Sequence, residues 1–218
     1  IETVSIELNS STDNPLILPT PENPGPHEVV SQGNFHAEVL ALVADAMSLG
    51  LFELSSISER RIDQMLDPDR RALRPFLAEN PGLESGLMIV QYVAAASLGE
   101  LRGHANPRTA FSTTTSAGQE DHVSMGATAS WNLLEAIQRC REVLACEAFV
   151  AHRAIQLIER PSSTCIESLI RCMNNVVQPG LSDRNTSEEI QTIAAEFTSS
   201  SWLSVIQSMI ETPLRKSL

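Results

Sequence analysis

The sequence predicts an all-α fold: long antiparallel helices forming part of an oligomeric helical bundle, entered through an extended N-terminal segment. Three observations carry that expectation. Apolar residues recur at helical spacing through long proline-free stretches, strand-like alternation is confined to Thr3-Val4-Ser5-Ile6-Glu7-Leu8, and five prolines crowd the first 26 residues.

Taken in order, residues 1–33 form the extended or looped segment, because Pro15, Pro19, Pro21, Pro24 and Pro26 fix φ and remove amide donors. A long-helix bundle is expected over 34–158. Its first helix runs from Phe35 to about Ser58, where Val39, Leu42, Val43, Ala46 and Met47 return every three or four positions and Gly33-Asn34 supplies a cap. Pro68, Pro75, Pro81, Gly82 and Gly86 make 61–86 a loop holding short helical turns. A second helix follows from about Leu87 to Gly103. Beyond Pro107, Ser116 and Gln119 have capping-box spacing, and Glu120 and Asp121 place negative charge where a helix dipole favours it. A third helix is therefore expected from near Ala117 to about Ile158, roughly 60 Å at 1.5 Å per residue. A rod of that length exceeds a small domain and completes its core in an oligomer. Over 159–218 shorter helices follow Pro161, with Thr164/Glu167 and Thr186/Glu189 repeating the capping-box pattern.

Charge and composition exclude several roles. A formal net charge of -12 and no cluster of Lys and Arg argue against a nucleic-acid surface. The longest apolar stretch, Leu87 to Leu98, is interrupted by Gln91 and Ser97 and is too short for a bilayer, so no membrane span and a cytoplasmic setting are expected. Cys140, Cys146, Cys165 and Cys172 form no CxxC pair and no Cys/His metal spacing, which reads as reduced structural thiols and no metal site. Ile1 stands where a starting Met would, with no signal segment after it, so the chain reads as the end of a longer polypeptide.

The chemistry concentrates in Gln119-Glu120-Asp121-His122-Val123-Ser124-Met125-Gly126. Each residue also has a plain reading. Glu120 and Asp121 suit a helix start for dipole reasons alone, His122 reads as a core histidine with satisfied nitrogens, and Met88 reads as core filling. Gly33 and Phe35 read as a cap and a staple, and Glu59, Arg60 and Arg61 as a solvated or intersubunit ion-pair cluster. Their order is less easily explained. The blocks NSSTDNPL (Asn9 to Leu16), GNFHAE (Gly33 to Glu38), SERRID (Ser58 to Asp63), SGLMIVQ (Ser85 to Gln91) and TSAGQEDHVSMG (Thr115 to Gly126) together resemble the histidine and aromatic amino-acid ammonia-lyases. Arg160-Pro161 and the helices after it look like that family's C-terminal end.

The resemblance implies an enzyme that eliminates ammonia from an amino acid by means of a methylidene-imidazolone, an electrophile made from an Ala-Ser-Gly tripeptide. That tripeptide is not in these 218 residues; Ser116-Ala117-Gly118 has the wrong order. The electrophile, a catalytic tyrosine and a carboxylate-gripping arginine would come from a missing N-terminal half, and the isolated fragment is expected to be inactive. By the same resemblance Glu120 is the catalytic acid facing the substrate side chain, Gln119 and Met88 line the substrate pocket, Phe35 caps the electrophile's ring and contacts substrate, and Asn34 helps hold the cofactor. Asn14 shares with Asn34 a role in backbone positioning. A carboxylate at position 120 suits an imidazole N–H better than a phenyl ring, which favours L-histidine and urocanate. The alternatives are a phenylalanine or tyrosine lyase, an aminomutase, or a non-catalytic helical assembly protein. Gln32 stands where the family usually has glycine, and Gly99-Glu100-Leu101-Arg102 departs from its pattern; neither is expected to touch the chemistry. The complete enzyme would be a homotetramer with each active site assembled from three chains.

Overall fold

The computed structural model describes residues 1–20, 23–158 and 163–211, so Arg160-Pro161 lies outside the described residues. Helices dominate: α1 (Glu2–Leu8), α2 (Glu38–Leu66), α3 (Pro68–Arg71), α4 (Met88–His104), α5 (Gly126–Leu157), α6 (Thr164–Asn174), α7 (Ser187–Glu196) and α8 (Ser200–Glu211). Strands β1 (Leu16–Thr20) and β2 (Asn23–Val30) pair antiparallel, with Leu16 opposite Val30 and Pro19 opposite His27.

The opening segment departs from expectation in a physically simple way. Thr3 to Leu8, whose alternation suggested a strand, is helical, while the proline-rich stretch forms the hairpin. A two-stranded ribbon is all edge, so a proline without an amide donor costs little there. Extended backbone thus covers 16–20 and 23–30 but not the first residues.

Two compact units divide the chain: Ile1–Phe52 with Leu101–Ile137, and Glu53–Glu100 with Gln138–Leu218. The second contains the larger core. Ile62 and Leu66 of α2, Val90 and Ala94 of α4, Phe149 and Val150 of α5, Ile193 of α7 and Trp202 of α8 pack with Leu77 and Met173 in one buried cluster. Removing that much apolar surface from water is the main stabilising term of such a unit. The first unit has a smaller cluster of Ala41, Ala44 and Ala129, with Leu133 against it.

Charged residues of the second unit find partners within it. Arg184 forks onto buried Glu189 with Nε and Nη2 each at 3.0 Å, and the Gln178 amide donates to the same carboxylate at 2.6 Å. The SERRID block is likewise intramolecular. Ser58 donates to Glu147 at 2.6 Å, Arg61 forks onto Glu147, and Arg60 donates to Glu59 at 2.6 Å. Arg139 bridges Glu100, one of the four departing residues, at 2.8 Å.

Helix boundaries moved where local chemistry outweighed the pattern. Helix α2 runs on through Arg61 to Leu66, because the first proline after it is Pro68, and Asp67 then caps α3 by accepting from Asp69 N at 2.9 Å. Helix α6 is capped by Ser163, which accepts from Ile166 N at 3.3 Å, one residue before the predicted Thr164. Helix α4 lies within one residue of expectation.

By length and composition alone, Asn34–Leu66, which contains an 18-residue window of mean hydropathy 1.6, is long and apolar enough to cross a membrane. Its polar residues mark it as a protein-core helix instead. Asp45 is buried and accepts from Arg108 N and Thr109 N at 2.9 Å and from Thr109 Oγ1 at 2.8 Å, while Ser48, Ser55, Ser58 and Glu59 are buried too. A buried carboxylate held by three protein donors, as at Asp45, does not belong to a helix sheathed in lipid.

Candidate active site

Three of the five sequence blocks converge in the first unit, and backbone geometry explains how. The predicted helix start near Ala117 is not helical. Ser116 and Ala117 have φ of 52° and 55° and Gly118 has φ of 90°, values that a right-handed helix excludes. Residues 115–120 instead close on themselves: Thr115 N donates to Glu120 O at 2.9 Å and Glu120 N donates to Thr115 O at 3.3 Å. Glu120 and Asp121 are therefore not first-turn dipole acids, since α5 begins only at Gly126. Left-handed conformations at two non-glycine residues cost free energy, and their clustering is a recognised mark of functional loops.

Upstream, residues 34–36 form a single 3₁₀ turn ending at Ala37 in the left-handed region (φ 59°), so Gly33-Asn34 caps this turn rather than α2. The turn is tied to the NSSTDNPL block. The Asn14 carboxamide oxygen accepts from Ser31 Oγ at 3.2 Å and from Gln32 N at 3.1 Å. Gln32 in turn accepts from Asn34 N at 2.7 Å, and Asn34 Nδ2 donates to Glu7 at 2.8 Å. The departure at Gln32 thus touches a predicted site residue after all, as an acceptor that a glycine cannot supply.

The 3₁₀ turn and the Thr115–Gly126 loop then meet. Ser124 donates to the carbonyl of His36 and accepts from Gly126 N at 3.2 Å. A Cβ on Gly126 would lie 3.1 Å from Ala37 Cβ and 3.3 Å from its carbonyl oxygen, so glycine permits the close approach. His36 stacks on Phe35 with ring centroids 4.0 Å apart, and its Nε2 lies 3.4 Å from Glu120 Oε2. His122 lies 3.8 Å from Glu38 Oε2; it is largely exposed, not the core histidine its neighbourhood suggested.

Phe35, Asn34, Gln119 and Glu120 therefore share one unit, whereas Met88 opens α4, half-buried, in the other. Gln119 is exposed, and Phe35 leaves 41% of its surface uncovered beside a hollow of about 180 Å³ lined by Val4, Leu8, Ala37 and Leu40. His36, Glu38 and Ser124 were missed as site residues. His36 and Glu38 sit inside the quoted GNFHAE block, and only the fold shows that this block faces the next acid.

A cavity of about 820 Å³ is in the second unit, lined among others by Arg141, Arg153, Asp183 and Arg184. Arg141 and Arg153 rest on backbone carbonyls, of Ala194 and Leu181, while the other two have partners of their own. Asp183 accepts from Ser85 N at 2.8 Å and Gly86 N at 2.9 Å, and Arg184 is held by Glu189.

The family described as aromatic amino acid lyase matches residues 1–176. Histidine ammonia-lyase from Geobacillus sp. (strain WCH70) is 38% identical over 213 residues, covering 97% of this chain and 41% of the relative. The Bacillus mycoides (strain KBAB4) histidine ammonia-lyase is 41% identical over 195 residues, covering 88% and 37%. Among solved structures, histidine ammonia-lyase from Trypanosoma cruzi superposes with a TM-score of 0.87 at 33% identity, covering 94% of this chain and 40% of that one. Phenylalanine aminomutase from Pantoea agglomerans gives 0.84 at 29%, covering 92% and 39%. The chain thus spans about two-fifths of the length of the curated relatives it matches. Five ordered blocks, a helical fold shared with these enzymes and a match over most of its length establish that the chain belongs to the aromatic amino acid lyase family.

Proposed function

We propose that this chain is the C-terminal helical part of an ammonia-lyase that converts L-histidine to urocanate and ammonia. The observation that carries the reading is a carboxylate at Glu120 on a closed loop, facing the turn that bears Phe35. A carboxylate only accepts hydrogen bonds, so it matches a substrate imidazole N–H or takes a proton from the reacting substrate. Gln119 flanks it in sequence. The identity of 38% and 41% to histidine ammonia-lyases supports the same substrate.

The family's methylidene-imidazolone supplies an electrophile stronger than any ordinary side chain. Residues of this chain suit a planar ring of that kind: Phe35 keeps an open aromatic face beside a hollow, and Asn34 is fixed next to it by Gln32 and Glu7. Since Ala-Ser-Gly is absent from these residues, other polypeptide must donate the group, and the chain alone is inactive.

Assembly into a homotetramer fits the surface. Leu42, Met47 and Leu49 of α2 and Trp131 and Leu134 of α5 are exposed in the first unit, and Leu54, Ile57, Ile89, Tyr92 and Val93 in the second. Apolar surface on that scale is what protein interfaces cover. A cytoplasmic location accompanies the reading.

A second reading, lyase or aminomutase action on phenylalanine or tyrosine, is favoured by the Pantoea aminomutase and by tyrosine aminomutase from Streptomyces globisporus, which superposes at a TM-score of 0.86 and 27% identity. Incubating the complete enzyme with each amino acid decides between them. Urocanate from histidine supports the proposal; cinnamate-like absorption or a β-amino acid with no urocanate overturns it.

A further inference from the structure

We infer that His36 is a positioning residue for Glu120, holding the acid and the Phe35 wall as one unit; the inference rests on the reading of Glu120 as the acid that faces substrate. His36 is engaged at three separate points. Its ring packs on Phe35 at 4.0 Å, its carbonyl accepts from Ser124, and its Nε2 stands 3.4 Å from the Glu120 carboxylate. Each contact reaches a different part of the site: the aromatic wall, the start of α5 and the acid.

Without His36 the Glu120 side chain has little to fix it. Its backbone is pinned by the paired bonds to Thr115, but among the described residues the carboxylate has no other ion-pair or hydrogen-bond partner. A glutamate with a free χ1 to χ3 samples several rotamers, each placing the carboxylate elsewhere. An imidazole nitrogen beside one oxygen selects among them. The side chains of His36 and Glu120 are 32% and 35% exposed, so the pair contributes little to stability. Its effect is on geometry, where displacement of a catalytic group by an ångström carries a large kinetic penalty. The other charged groups at this corner do not replace it. Glu38 faces His122 at 3.8 Å, Glu7 accepts from Asn34, and Asp121 is exposed.

A double-mutant cycle in the complete enzyme tests this. His36→Phe keeps a ring to pack on Phe35 and removes the nitrogen, and His36→Gln restores a neutral N–H donor. We expect His36→Phe to lower kcat/KM on the order of tenfold in the wild-type background, with thermal midpoint unchanged. In the Glu120→Gln background it should change kcat/KM less than twofold, and His36→Gln should recover most of the loss. An equal loss from His36→Phe in both backgrounds, or no recovery by His36→Gln, overturns the inference while leaving Glu120 in place. Full activity of Glu120→Gln alone would instead remove the underlying reading and the inference with it. Should His36→Phe fail to fold, His36→Asn, which is shorter than Gln and falls short of the carboxylate, takes its place in the cycle with the same expected outcomes.

Discussion

Two regions, one in each unit, leave their side chains in different states. In the second, Arg184 and Glu189 meet through a two-point fork, Glu147 collects Ser58 and Arg61, and Asp183 ties down the Ser85 and Gly86 amides. In the first, Glu120, His36, Phe35 and Gln119 remain partly or wholly open, and the backbone between Thr115 and Met125 holds left-handed conformations. Saturated hydrogen bonding specifies a rigid scaffold, whereas unsaturated groups on a constrained loop are what a substrate requires. On the proposed reading, the open groups of the Thr115–Gly126 loop rather than the larger cavity mark the site.

Four substitutions or conditions sharpen that contrast. The largest effect belongs to the scaffold: Phe149→Ala should destabilise by about 4 kcal/mol through the cavity it leaves, read from the shift of a urea midpoint. Replacing Glu189 by Ala strands the buried end of Arg184 and the Gln178 amide, at a cost of about 3 kcal/mol by the same measurement. Glu120→Gln in the complete enzyme should invert this pattern. Turnover of histidine falls on the order of a hundredfold, about 2.7 kcal/mol of barrier, while the thermal midpoint moves by no more than a degree or two. If Glu120→Gln melted the protein and Glu189→Ala spared it, the division into scaffold and site would be wrong.

The smallest effect is pH-dependent. Burial, with Glu142 nearby adding to it, pushes the Cys146 thiol from its ordinary 9.0 up to about 12. Above pH 9 the unfolded chain releases a proton that the folded chain retains, so stability should be flat below pH 9 and fall as pH rises toward 12. Urea midpoints at pH 7.5 and pH 10 measure the slope, and Cys146→Ala should reduce it, with Cys140, whose thiol burial also pushes up, carrying the remainder. An unchanged slope in that variant would show that Cys146 is not the group responsible.

Much of the fold was legible because it rests on uninterrupted periodicity. Val90, Ala94 and Leu101 recur as an apolar helix should, and α4 falls within one residue of its expected bounds. Periodicity failed where segments are short. The alternation of Thr3 to Leu8 has a β-like pattern but too few residues to choose, and i to i+4 bonding such as Ser5 N to Ile1 O at 2.9 Å won. Pattern also gave no warning that Ser116 and Ala117 adopt positive φ, since serine and alanine rarely do. The capping box seen in Ser116 and Gln119 was therefore a coincidence of spacing. The candidate site residues came from family resemblance; residue pattern alone left Glu120 as a helix-start acid. What brought His36 beside it is the approach of Ala37 to Gly126, a tertiary event encoded by the lack of one Cβ.

The paired bonds between Thr115 and Glu120 have a consequence for how such enzymes diversify. Because that miniature ring of backbone closes without help from the glutamate side chain, the position works as an interchangeable socket. If Glu120 faces substrate as proposed, a single codon change there swaps an acid for an amide, and so retunes which aromatic ring is welcomed, while the surrounding masonry stays as it was.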